Sequence, residues 1–456
     1  MSRRRTILLS LLGVAILAVL GISWYLAPIA PIATGYAAKI VCSAHLVSDR
    51  SVDDALGDLP PNPLVPLLRT RAEADSVTVT LVGLWGTTAH HTPGLGCTLA
   101  DERPGFTAPA ALPARDPALP WPDGEGPALL EAGDGAIDGV DRDALDAAIA
   151  TAFTEDDPDG RLRNTRAVVV VHDGRLLAER YGDGFDADTP LLGWSMGKSI
   201  ANAIVGRLVH QGVLDVEAAA LRPEWSGDDR GLITVAQLLA MTDGLDFAEI
   251  YEPGTDATQM LFRPGSVAGF AAARDLAAPP GTRWSYSSGT TNLLCAVAHE
   301  ASGFGPELAH QLVFTPLGLT SAVLEPDATG ELVCSSFPYL TARDWARFGQ
   351  WYLQDGVWDG ERLLPEGWVA ASTTPVGEVD DDPYGWQWWL NEGPDGQLRM
   401  PSVPADAYWA SGNEGQQVVV IPSEELVVVR LGFSGSFSGV DWGLEPLLAG
   451  VIEATG

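Results

Sequence analysis

Lysine is nearly missing from this 456-residue chain: of 27 basic residues only Lys39 and Lys198 are lysines, and the rest are arginine. Positive charge is scarce altogether, since 60 acidic residues leave a formal net charge of −33. A surface of that sign repels phosphate backbones and anionic headgroups, so nucleic acid is excluded as a partner. We read it as a solvated acidic surface. Cysteine stands at four positions only, Cys42, Cys97, Cys295 and Cys334. Adjacent His90 and His91 have no third histidine and no carboxylate at metal-ligand spacing, and no metal is expected. No internal repeat is present.

One long apolar run is there. Arg3-Arg4-Arg5 precedes an uncharged stretch from Ile7 to about Leu26. About twenty such residues suffice to span a bilayer, and the leading arginines keep the N-terminus cytoplasmic. Residues 1–29 are therefore expected to be a transmembrane anchor, with the rest facing the periplasm or cell exterior. A cleaved signal peptide is the rival. On that side disulfides are permitted. Cys42 and Cys97 bracket one segment and are expected to pair. Cys295 and Cys334 are left as either a second disulfide or two buried thiols.

Residues 30–130 read as a small pre-domain. Ala37 to Val47 is a short helix or strand, Ser76 to Val82 alternates as a strand, His90 and His91 fall in a loop, and a Pro-rich linker runs from about Pro104 to Pro127. Residues 131–456 read as the main domain. A helix from Asp141 to Phe153, capped by Asp141, precedes a hairpin, Arg166–Val171 and Arg175–Tyr181. Leu214 to about Ser335 is mostly helix and loop, including a capped helix from Ile233 to a glycine stop at Gly244. A helix capped by Thr341 comes next. Strands Gln417–Ile421 and Leu426–Leu431 and a closing helix, Asp441–Ala454, end the chain. Strands at both ends with helices between predict an α+β fold: an antiparallel sheet flanked by N- and C-terminal helices, with a mostly helical insertion at 214–335.

The chemistry centres on Gly193-Trp194-Ser195-Met196-Gly197-Lys198-Ser199. A helix-spaced apolar pattern follows, ending at Gly212, so Ser195 is expected near a helix N-terminus and Lys198 on the same face. A serine hydroxyl is a weak nucleophile until a neighbour takes its proton. A lysine can do so once burial lowers its pKa, whereas arginine cannot. A chain that avoids lysine yet keeps one here needs that property.

Three separated elements, in order, carry a resemblance. Ser195-Met196-Gly197-Lys198, Tyr286-Ser287-Ser288 and Asn413-Glu414-Gly415 resemble the three motifs of the penicillin-recognising serine hydrolases, in the branch with class C β-lactamases, D-alanyl peptidases, family VIII esterases and 6-aminohexanoate-dimer hydrolases. The resemblance covers about residues 130–456. Arg343 to Gly349 looks most like the aminohexanoate-hydrolase-related members. It implies a β-lactamase/transpeptidase-like fold and an acyl-enzyme on Ser195, with Lys198 and Tyr286 sharing the proton traffic and Lys198 lowering the pKa of Tyr286. It also implies an oxyanion hole from the N–H groups of Ser195 and Gln416, and substrate contacts from Ser288, Asn413, Glu414 and Gly415. No organic cofactor is implied. Two departures stand out: Ser288 replaces the usual asparagine, and Asn413 replaces a lysine or histidine. Both weaken a β-lactam or peptide assignment and leave a small-molecule ester or amide. The alternative class is a non-catalytic binding or sensor module on the same fold. Pocket-lining residues are expected from Glu249–Phe262 and Trp386–Trp389.

Overall fold

The computed structural model describes residues 26–60, 62–131, 139–155, 162–376, 383–434 and 442–456, with isolated positions 11, 13, 17, 21, 24 and 137. Its centre is a six-stranded antiparallel sheet. The strand order is Trp389–Leu390, Tyr408–Gly412, Gln416–Ile421, Leu426–Gly432, Thr165–His172, Arg175–Tyr181. Strands from the two ends of the main region therefore meet at its middle, where Val428 lies opposite Val170. Both central strands are runs of valine buried on both faces, as a sheet covered on two sides requires.

One face is covered by the terminal helices Arg142–Ala152 and Leu444–Thr455, which bury Leu145, Ile149, Leu447 and Val451 against it. The Asp141 carboxylate caps the first, accepting from the Ala144 N–H at 3.0 Å. The start assigned to the closing helix at Asp441 lies outside the described residues. The other face carries Gly197–His210 and Ala342–Leu353, the latter capped by Thr341. The intervening segment is mostly helical, as expected, with Asp256–Phe262, Val267–Ala272 and Ser288–Ser302 as its main pieces.

Several boundaries differ. The helix expected from Ile233 to Gly244 is only Val235–Leu239, held by a Thr234–Gln237 capping box. It stops because Met241 turns left-handed at φ +58°. His90 and His91 are on the strand Trp85–Thr92 instead of in a loop. Ala37–Val47 is part of a longer helix, Ala30–Leu46, buried on nearly every side.

Residues 30–130 share an apolar core with the main region. They do form their own four-stranded antiparallel sheet, Leu68–Glu73 to Gly96–Leu99. Helix Ala30–Leu46, however, packs between that sheet and the main region in one continuous apolar core. Cys42–Cys97 and Cys295–Cys334 are both disulfides. The apolar run from Ile7 to Leu26 lies largely outside the described residues; among those described, no helix is long and apolar enough to cross a membrane.

Candidate active site

Ser195 sits in a single 3-10 turn, Trp194–Met196, that runs directly into helix Gly197–His210. Trp194, just before it, is left-handed at φ +47°, a conformation a bulky residue adopts only where its surroundings hold it. Those surroundings are close. A side chain at Gly412, on strand Tyr408–Gly412, would put its Cβ 2.1 Å from the Gly193 carbonyl oxygen. The turn that carries Ser195 thus lies directly against the end of that strand.

Lys198 projects from the first turn of the helix and is 1% exposed. Its Nζ donates to Ser195 Oγ at 3.1 Å, to Ser288 Oγ at 3.1 Å and to the Ser335 carbonyl at 3.2 Å. Burial lowers its pKa to about 8, against a smaller upward pull from Glu249. The Ser335 carbonyl is fixed from two sides: Asn292 accepts its N–H at 3.1 Å, and the Cys295–Cys334 disulfide ties down the preceding residue.

Tyr286 faces both groups. Lys198 Nζ lies 4.6 Å from its ring centroid. The ring is stacked on Trp389 at 5.3 Å and edge-on to Tyr384 at 5.8 Å. Contrary to the expectation that Lys198 would lower its pKa, the phenol is pushed well up. Burial is the main cause and Glu249 the second, with the Ser195 hydroxyl pulling the other way. At neutral pH the phenol therefore keeps its proton, and the amine is the group nearer to losing one.

Ser288 opens helix Ser288–Ser302, but the cap is Ser287, whose Oγ accepts from the Thr290 N–H at 3.0 Å. Ser288 Oγ is left free to accept from Lys198 and to donate to Glu249 Oε1 at 2.6 Å. The other Glu249 oxygen accepts the Ser288 N–H at 2.8 Å. Glu249 is the residue a reading of the motifs misses; it stands in an irregular loop with no pattern around it. The only signal was its place at the start of a stretch expected to line the pocket.

The third motif divides. Asn413 and Glu414 line the same cleft as Ser195, whereas Gly415 and Gln416 are buried behind it. The Glu414 carboxylate turns to accept the Trp194 indole N–H at 2.9 Å, which joins two left-handed residues, Glu414 being at φ +64°. Burial raises its pKa to about 7, opposed first by that hydrogen bond and then by Arg166. Gln416 starts its strand opposite Gly412, and its side-chain amide is bound to Gly432 in both directions, at 2.6 and 3.1 Å. Arg430 donates to the Gly415 carbonyl at 2.7 Å and holds the turn from below. Of the expected lining, Tyr251, Pro253, Thr258 and Phe262 reach the cleft and Trp389 stacks on Tyr286.

Among the described residues no group of three or more His, Cys, Asp or Glu could hold a metal ion.

The matched family fits this arrangement. Residues 151–433, well over half of the chain, match the family described as Beta-lactamase. The chain belongs to the β-lactamase family. It is a serine hydrolase. A 6-aminohexanoate-dimer hydrolase from Paenarthrobacter ureafaciens is 27% identical over 295 residues, 59% of this chain and 72% of that protein. Among solved structures, a Bacillus anthracis protein provisionally described as a 6-aminohexanoate-dimer hydrolase superposes with a TM-score of 0.53 at 24% identity, over 62% of this chain and 77% of that one. A class C β-lactamase gives a TM-score of 0.53 at 14% identity, over 69% and 96%. At these identities the structural likenesses speak for the fold.

Proposed function

We propose that this β-lactamase-family hydrolase cleaves a small ester or amide through an acyl-enzyme on Ser195, with Lys198 as the base and Tyr286 as the proton donor. The observation that carries the reading is the buried Lys198 amine, 3.1 Å from Ser195 Oγ, with a pKa lowered to about 8. At pH 7 roughly one such amine in ten is neutral, enough to accept the serine proton as the oxygen attacks. The C–O or C–N bond of the tetrahedral adduct then breaks. Tyr286 gives its proton to the leaving group and regains one from Lys198. Water repeats the cycle on the acyl group and releases the acid. The N–H groups of Ser195 and Gln416 are assigned to the oxyanion, where losing one donor typically costs about 3–4 kcal/mol in the barrier.

Ser288 acts through Lys198 here and does not donate to a substrate amide, because its one O–H is given to Glu249, it accepts from Lys198 and it is fully buried. Together with Asn413 in place of a cation, this favours esters or uncharged amides over β-lactams. A relative named for hydrolysis of 6-aminohexanoate dimer is in keeping with a small-molecule substrate. Asn413 and Glu414, on the cleft wall, are assigned to substrate contact. We further assign the run from Ile7 to Leu26 as a membrane anchor that holds the enzyme on the outer side; carbonate extraction of membranes would leave it in the pellet if so, and release it if not.

The test of the chemistry is direct. Wild-type protein should hydrolyse p-nitrophenyl acetate and be labelled at Ser195 by a fluorophosphonate, and Ser195→Ala should do neither. Equal turnover by Ser195→Ala would remove the reading.

A further inference from the structure

The cleft that holds Ser195 has a wall that the catalytic motifs do not supply. Helix Ala30–Leu46 runs along it with Ala33 and Tyr36, Ile29 precedes them on the same face, and Leu64 and Val65, at the start of the 3-10 turn Val65–Leu67, extend the apolar surface; the same segment also supplies Arg50, Asp58 and Asn62 to the lining. All of these precede residue 151, where the family match begins. The cavity is about 990 Å³, larger than a two-carbon acyl group needs and within the range of pockets that enclose whole small molecules.

The wall is built in, not draped over the site. Gly35 touches the main region so closely that a Cβ there would sit 1.9 Å from the Phe262 carbonyl oxygen. Tyr36 packs edge-on against Phe262, with ring centroids 4.8 Å apart. One turn further on, the Lys39–Glu325 ion pair and the Cys42–Cys97 disulfide fix the helix from both sides. A rigid apolar wall beside a nucleophile gains most from a hydrocarbon that displaces water along it.

We propose that this N-terminal helix determines specificity: the substrate of Ser195 carries an apolar chain of several carbons that lies along Ile29 and Ala33. The proposal rests on the serine chemistry proposed above. The chain fills a surface of fixed shape, so each buried methylene should raise kcat/KM, up to the about fourfold set by its transfer free energy. The helix contributes no group to bond making or breaking, and its effect belongs to substrate binding.

The experiment is a chain-length profile on the intact protein, with p-nitrophenyl acetate, butyrate and octanoate below their micellar concentrations. Wild type should favour octanoate over acetate by tenfold or more in kcat/KM. Ala33→Trp, which fills the wall, should lower octanoate kcat/KM at least tenfold, mainly through KM, and keep acetate within twofold. Ile29→Ser, a milder change at the mouth, should lower octanoate about threefold. Fluorophosphonate labelling of Ser195 reports that each variant is folded. A flat chain-length profile in labelled wild type, or an equal loss on all three esters in labelled variants, overturns this proposal alone. No turnover and no labelling in wild type overturns both this proposal and the serine chemistry.

Discussion

Lys39 and Lys198 are the same residue type at nearly the same burial, 2% and 1% exposed, and their surroundings are opposite. Lys39 lies 2.8 Å from the Glu325 carboxylate, which also accepts from Ser43 Oγ and from the Cys97 N–H; its amine sits 4.3 Å above the Phe337 ring. Lys198 donates to two hydroxyls and a carbonyl; Glu249 acts on it through space and is hydrogen-bonded to it only by way of Ser288. Burial lowers both pKa values, but the paired carboxylate at Lys39 opposes that directly. One amine is thereby kept as half of an ion pair that staples helix Ala30–Leu46 to the main region. The other is kept close to losing its proton. Burial alone does not make a lysine reactive; the absence of a directly bonded counter-charge does.

The widest way to break the comparison is to replace each lysine by methionine. On the proposed mechanism Lys198→Met removes the base and should lower kcat/KM by about 10³-fold or more. The same change should stabilise the fold. The folded-state pKa of about 8 lies below the ordinary 10.5, so at pH 7 the wild type bears a buried charge that costs roughly 3 kcal/mol. The unfolded chain holds that proton more tightly, so wild-type stability rises between about pH 8 and 10.5 and the advantage of Lys198→Met fades across that window. Urea denaturation at pH 7 and pH 10 reads it. Lys198→Arg should be as inactive as Lys198→Met.

Lys39→Met should do the reverse. It leaves Glu325 buried without its partner, a loss of about 3–5 kcal/mol, while the turnover of p-nitrophenyl acetate per labelled Ser195 stays within a few-fold. Lys39→Met with Glu325→Leu should recover most of the stability, since an apolar pair replaces an ionic one. If the double variant is no more stable than Lys39→Met, the pair is not what fixes the helix.

The difference between the two lysines also marks what a sequence reader can see. Ser195 and Lys198 are one helical turn apart, and the three ordered motifs point to Tyr286 and the 413–415 turn as their neighbours. The hairpin at 165–181 and the strands at 416–432 are legible because uninterrupted runs of β-branched valine bounded by turn residues have few other uses. Lys39 and Glu325 are far apart in the chain, with nothing local to link them, so residues 30–130 read as a separate pre-domain. The signal was there in part: a lone lysine inside an otherwise uncharged helix, in a chain with only two lysines, had to have a buried partner. Which face of that helix would meet the cleft was not legible, since it is apolar nearly all round. Glu249 was hidden for another reason, because its partner Ser288 is a motif residue whose expected role lay with the substrate.

Glu414 offers a third buried charge to set beside the lysines. Its folded-state pKa, about 7, is raised above the ordinary 4.5. The stability it allows is present in full below about pH 4.5 and is lost as pH rises through 7, up to roughly 3 kcal/mol. Glu414→Gln keeps an acceptor for the Trp194 indole and cannot ionise. It should be more stable than wild type at pH 8, with the difference closing by pH 4.5, and thermal unfolding at the two pH values tests this. No difference at pH 8 would mean that the carboxylate is ionised at no cost.

The finest test concerns the indirect carboxylate at Lys198. Rising pH converts the amine to its neutral, proton-accepting form, so kcat/KM for p-nitrophenyl acetate should climb through a limb near pH 8. Glu249 pulls that pKa upward through space and raises Tyr286 as well. Glu249→Gln removes the charge but keeps groups able to bond the Ser288 hydroxyl and N–H. The limb should therefore move to lower pH, with the plateau little changed. Ser288→Ala keeps the charge but breaks the hydrogen-bonded link, and should lower the plateau more than it moves the limb. A limb that stays in place in Glu249→Gln would mean that Lys198 does not sense this carboxylate, and that its distinction from Lys39 rests on burial and hydroxyl contacts alone.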